Sequence, residues 1–75
     1  MSLEISKSRS ATLAKGLQIL DFIAVENKPV LLRQITAELE LTKPTAHRLL
    51  ATLVDYGLVR FDPTDNTYSL GMRLF

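Results

Sequence analysis

Thr42, Lys43, Thr45, His47, Arg48 and Thr52 lie close together in one short stretch of the chain, and their side chains are those that contact nucleic acid. The Arg48 guanidinium is a planar fork that matches a guanine edge or a phosphate bidentately. The hydroxyls of Thr45 and Thr52 can donate to phosphate oxygens or base edges. Lys43 and Pro44 fall where a helix would begin, and there a lysine adds charge beside backbone N–H groups that already favour a phosphate. Arg33 upstream and Arg60 downstream are placed to hold the DNA backbone on either side, although Arg60 reads equally well as a solvated residue beside Asp62. Taken singly, each cation is an ordinary surface residue. Only a shared face would give them a joint meaning.

Other chemistries find little material. The chain has no cysteine, which removes disulfides and thiolate metal sites together, and its one histidine, His47, cannot build a metal site unaided. No carboxylate pair is set by pattern, and His47 has no recognisable nucleophile beside it. Gly16, Gly57 and Gly71 are scattered, so no phosphate-cradling loop is present. The expectation is a non-enzymatic protein with no metal and no cofactor. Nine Lys/Arg against eight Asp/Glu give a net charge of +1, so the location of the charges matters more than their sum. No apolar run approaches the ~20 residues that span a bilayer, and the N-terminal stretch lacks the apolar region of a secretory signal. A cytoplasmic protein without a membrane partner is the default.

The elements that must position these residues follow from periodicity and punctuation. Residues 1–9 are polar and non-periodic, and are read as a flexible N-terminal arm carrying Lys7 and Arg9, with residues 1–3 a possible leader. Ser10 or Thr12 can cap a first helix, in which Leu13, Gly16, Leu17, Leu20 and Ala24 form one apolar stripe. Ile19, Phe22 and Ile23 widen that surface, so this helix is either deeply buried or meets a partner with its second face. Asn27 suits its C-cap and Pro29 prevents continuation. Pro29-Val30-Leu31-Leu32 is too short for more than an edge strand. A second helix spans 32–39, with Leu32, Ile35 and Leu39 inward.

Only Glu40-Leu41-Thr42 separates the second helix from the third. So short a link makes the two cross steeply, as in a helix-turn-helix. Thr42 is the N-cap of the third helix, and Pro44 sits in its first turn, where a missing N–H costs nothing. With Ala46, Leu49, Leu50 and Leu53 inward, Pro44, Arg48, Ala51 and Asp55 point most directly outward, flanked by Thr45 and Thr52 on one side and His47 on the other. Asp55 is the one acid on that side and should lie beyond the groove. Gly57 ends the helix. The period then changes to two: residues 58–61 and 67–70 read as strands joined by the turn Asp62-Pro63-Thr64-Asp65-Asn66. The fold class expected is mainly α, a three-helix winged helix-turn-helix over residues 10–70 with a small β-hairpin wing. A single domain of this length buries only about 60% of its unfolded surface. The rival reading of the same elements is a winged-helix module for protein–protein assembly without DNA binding.

The run Leu41-Thr42-Lys43-Pro44-Thr45-Ala46-His47-Arg48-Leu49-Leu50-Ala51-Thr52-Leu53, followed by Gly57-Leu58-Val59, resembles the IclR family of transcription regulators. The likeness extends to Lys15-Gly16-Leu17-Gln18-Ile19-Leu20 and to Tyr68-Ser69-Leu70-Gly71. Two positions depart from the family pattern: Leu31 stands where a small polar N-cap is usual, and Glu40 where the turn commonly has glycine. Glu40 would then adopt either a left-handed conformation or a slightly different turn, at a cost of about 1 kcal/mol. The resemblance implies a transcriptional repressor or activator whose recognition helix, about 42–56, enters the major groove of double-stranded DNA at a near-palindromic operator. It implies a homodimer or tetramer, with Leu13, Ile19, Phe22 and Ile23 offered as the dimer contact between heads. It also implies that residues 71–75 begin a linker to a C-terminal domain that binds a small-molecule effector. The apolar ending Leu74-Phe75 agrees with a fragment of a longer protein.

Overall fold

The computed structural model describes residues 10–71, so the arm expected over 1–9 and all but the first residue of the linker expected over 71–75 lie outside the described residues. The elements run α1 (Ala11–Glu26), β1 (Val30–Leu31), α2 (Leu32–Leu39), α3 (Lys43–Asp55), β2 (Val59–Asp62) and β3 (Thr67–Leu70). Three helices and a small antiparallel sheet make a winged helix-turn-helix, the architecture that the periodicities predict.

Local chemistry sets each boundary. Ser10 caps α1, its Oγ accepting from the Leu13 N–H at 3.2 Å. Asn27 closes α1 in the left-handed region at φ 54°, its N–H donating to the Ile23 carbonyl. Helix α2 begins at Leu31, whose side chain has no acceptor. Half of a capping box compensates, because Gln34 Oε1 accepts from the Leu31 N–H at 2.7 Å. Glu40 ends α2 at φ 54°, ψ 47°, taking the left-handed one of the two conformations open to it where a glycine is usual. Its N–H and that of Leu41 both donate to the Thr36 carbonyl, which satisfies the orphan acceptor at the end of α2. Gly57, at φ 77°, reverses the chain after α3.

The sheet order is β1-β3-β2, with both pairings antiparallel. β1 is the edge strand foreseen for it, and its pairing of Val30 with Tyr68 and Leu31 with Thr67 ties the start of α2 to the wing. In the hairpin, Val59, Arg60, Phe61 and Asp62 face Leu70, Ser69, Tyr68 and Thr67 in turn. Asp62 thus belongs to β2 rather than to the turn, while its Oδ1 accepts from the Thr64 N–H at 2.9 Å and shapes the turn that follows. Gly71, read as the first residue of a linker, is held against the end of the domain. It is buried, its N–H donates to the Leu58 carbonyl at 2.9 Å, and a Cβ there would meet the Gly57 carbonyl oxygen at 2.2 Å.

The core takes residues from every element: Ile19 and Ile23 of α1, Val30 of β1, Ile35 of α2, Leu49 and Leu50 of α3, Val59 of β2 and Tyr68 of β3. This corrects the reading of α1. Ile19 and Ile23, offered as dimer contacts, are 0% and 1% exposed and have no surface to present to a partner. Phe22 is half-buried and packs against the edge of the core. In the stripe Leu13, Gly16, Leu17, Leu20 and Ala24, Gly16 is buried and Leu20 half-buried, whereas Leu13, also offered as a dimer contact, is 62% exposed and Leu17 41%. The spacing of three and four fits either stripe. β-Branched isoleucines win the interior because they sit where α1 crosses α3 and the sheet.

Candidate nucleic-acid interface

Helix α3 is held by its inner face and by its first turn. Ala46, Leu49 and Leu50 are buried, and Leu53 packs on the core from the next turn. Thr42 caps the helix: its Oγ1 accepts from the Thr45 N–H at 3.4 Å and donates to Thr45 Oγ1 at 2.9 Å. The Thr42 hydroxyl is therefore engaged inside the helix cap, and it acts on the interface by fixing the first turn. Thr45 is half-buried and keeps its own hydroxyl proton for an outside acceptor. Thr52 is exposed, but its hydroxyl donates to the Arg48 carbonyl at 3.3 Å, so donation to a phosphate requires a rotamer change.

The outer face of α3 exposes Lys43, Pro44, His47, Arg48, Ala51 and Asp55, as the helical rotation foresees. Arg33 projects from the first turn of α2 and is also exposed. Among the described residues, Arg33, Lys43 and Arg48 make no ion pair, which leaves these charges open to an anionic partner.

What the sequence alone does not reveal is how these groups share a surface. A groove of about 560 Å3 runs between α3 and the wing, and it brings together Arg33, Lys43 and His47 from two helices. Asp65 and Asn66 of the wing turn form its opposite lip. Its apolar wall includes Phe61 and Tyr68, cross-strand partners whose ring centroids are 5.0 Å apart at 45°. Burial pushes the Tyr68 hydroxyl above its ordinary value, so it stays protonated at neutral pH. A second depression joins Lys43, Pro44, His47 and Arg48 along the helix itself. His47 lines both, placing it at the centre of the basic surface rather than at its margin.

Arg60 is separated from this cluster. It is exposed and pairs with Ser69, and strand alternation puts it on the sheet face opposite Phe61. Asn66, Phe61 and Tyr68 were missed as groove residues. The signal was available in the hairpin register, because counting back from the turn pairs the two aromatics on the face that meets α3. Among the described residues no group of His, Asp and Glu could hold a metal ion, and no helix is long and apolar enough to cross a membrane.

Residues 12–63 match the model of the IclR helix-turn-helix domain. Over 63 residues the chain is 40% identical to a probable HTH-type transcriptional regulator, ArcR, of Halobacterium salinarum, a match that covers 84% of this chain and 23% of that protein. The fold superimposes on an IclR transcriptional regulator from Alicyclobacillus acidocaldarius with a TM-score of 0.84 at 28% identity, covering 89% of this chain and 27% of that one. An IclR family regulator from Brucella abortus gives a TM-score of 0.82 at 29% identity, covering 92% and 26%. The chain thus spans about a quarter of the length of the proteins it resembles.

Proposed function

Because the chain belongs to the IclR helix-turn-helix family, we propose that it is the DNA-binding head of a transcription regulator. The observation that carries this reading is the outer face of α3, where Lys43, His47 and Arg48 stand exposed on the second helix of a helix-turn-helix with Arg33 beside them. Such a ridge has the width to enter a major groove. Arg48 and Thr45 address base edges. Lys43 and Arg33 hold phosphates, one at the start of each helix of the unit, where the backbone N–H groups also point. Thr42 and Pro44 set the first turn, Thr52 contributes after releasing its helix carbonyl, and Arg60 reaches flanking phosphate from the outer face of the wing.

The rest of the functional reading rests on family likeness. Two such heads in a dimer would place their α3 helices about one DNA turn apart, ~34 Å, on a near-palindromic operator. The exposed Leu13, Leu17 and Val25 of α1 are the large apolar side chains left for a contact between heads once Ile19 and Ile23 are assigned to the core. A small-molecule effector would act through a further domain of the kind that fills the remaining length of the relatives.

The test is the salt dependence of binding to a labelled duplex. Each phosphate neutralised contributes a slope of about −0.9 in log affinity against log salt. With Arg33, Lys43 and Arg48 engaged, binding falls steeply between about 50 and 200 mM salt. Absence of duplex binding at low salt would overturn the reading.

A further inference from the structure

The groove that gathers three basic side chains also contains an acid. Asp65 lies in the wing turn, is exposed, and lines the same groove as Arg33, Lys43 and His47. It makes no hydrogen bond or ion pair among the described residues, so it neither builds the turn nor neutralises a neighbour. The turn is shaped instead by Asp62, which accepts from the Thr64 N–H, and by Asn66, which takes the left-handed conformation at φ 56°. Local structure therefore gives no reason for a carboxylate at this position.

A carboxylate there has a definite consequence for a DNA-binding surface. Phosphates held by Arg33 and Lys43 would come within about a Debye length of Asp65, so the charge opposes the backbone that those residues attract. An ionised carboxylate only accepts hydrogen bonds. The donors that DNA bases present at their groove edges are exocyclic amino groups, on cytosine and adenine in the major groove and guanine in the minor. Asp65 is thus penalised against DNA backbone in general and relieved only where the sequence sets a base amino group opposite it. Repulsion of the wrong partner raises specificity as effectively as attraction of the right one.

We propose that Asp65 is a specificity-determining residue of this interface, weakening sequence-independent binding while accepting a hydrogen bond from a base amino group in preferred sites. The inference rests on the DNA-binding reading above, and the two fail differently. The experiment compares the wild-type chain with Asp65→Asn and Asp65→Glu on two probes: a labelled random-sequence duplex, and duplexes enriched by the wild-type chain from a randomised library. Asp65→Asn should strengthen random-duplex binding about two- to fivefold at low salt, the range for one exposed charge interaction. Its binding to the enriched duplexes should gain less, so the ratio of enriched to random affinity falls. Asp65→Glu should retain the weak random binding. Equal strengthening on both probes, or none on random DNA, would overturn the role of Asp65 while leaving DNA binding intact. Failure of the wild-type chain to bind any duplex would instead remove the reading beneath it.

Discussion

Helices α1 and α3 both carry leucines and use them in opposite ways. In α3, Leu49 and Leu50 enter the core, and the outer face is left to Lys43, His47 and Arg48. In α1, Leu13 and Leu17 stand outside while Ile19 and Ile23 fill the interior. Period alone marks both as helices. The difference comes from what surrounds each one. Helix α3 has cations that cannot be buried unpaired, so only one rotation about its axis is open to it. Most of α1 is apolar, either stripe could face inward, and the choice falls to shape at the crossing with α3 and the sheet.

Substitutions in α1 test this contrast most forcefully. Ile19→Ala should cost about 2–5 kcal/mol of stability, as for a fully buried branched side chain, measured by urea unfolding. Ile19→Val, at about 0.5–1.5 kcal/mol, gives a readable transition if the alanine variant does not fold. In α3, Arg48→Ala should leave stability unchanged and weaken binding to preferred duplexes by about 1–3 kcal/mol, read by fluorescence anisotropy. Thr42→Ala removes the α3 cap and should cost about 1 kcal/mol of stability. Gly16→Ala should act in the other direction. A Cβ at Gly16 meets nothing within 4 Å, so better helix propensity should raise stability by about 0.5–1 kcal/mol. Leu13→Ala comes last, with a change within about 0.5 kcal/mol. A large loss at Leu13 together with a small one at Ile19 would invert the assignment of the two faces of α1.

Legibility in the sequence follows the same division. Element order, the cap at Thr42, the end of α1 at Asn27 and the outward set on α3 were all readable, because each depends on local chemistry or on a face fixed by charge. The inward face of α1 was not, since two apolar stripes compete and only tertiary contact decides between them. The groove was half legible. Arg33, Lys43 and His47 could be named individually, but their convergence with Asp65 and Asn66 requires the wing to fold back beside α3 through the β1–β3 pairing. The packing of Gly71 was not legible, because it lies in a close approach to Gly57, a contact between distant parts of the chain.

The contrast between the two helices reduces to where DNA touches the chain. Titrating the isotopically labelled chain with an unlabelled duplex and following backbone amide shifts reports this residue by residue. The account predicts the largest changes at Lys43, Thr45, His47, Arg48 and Arg33, with Leu13, Leu17 and the rest of α1 nearly still. Changes concentrated on α1, with the outer face of α3 unmoved, would contradict it.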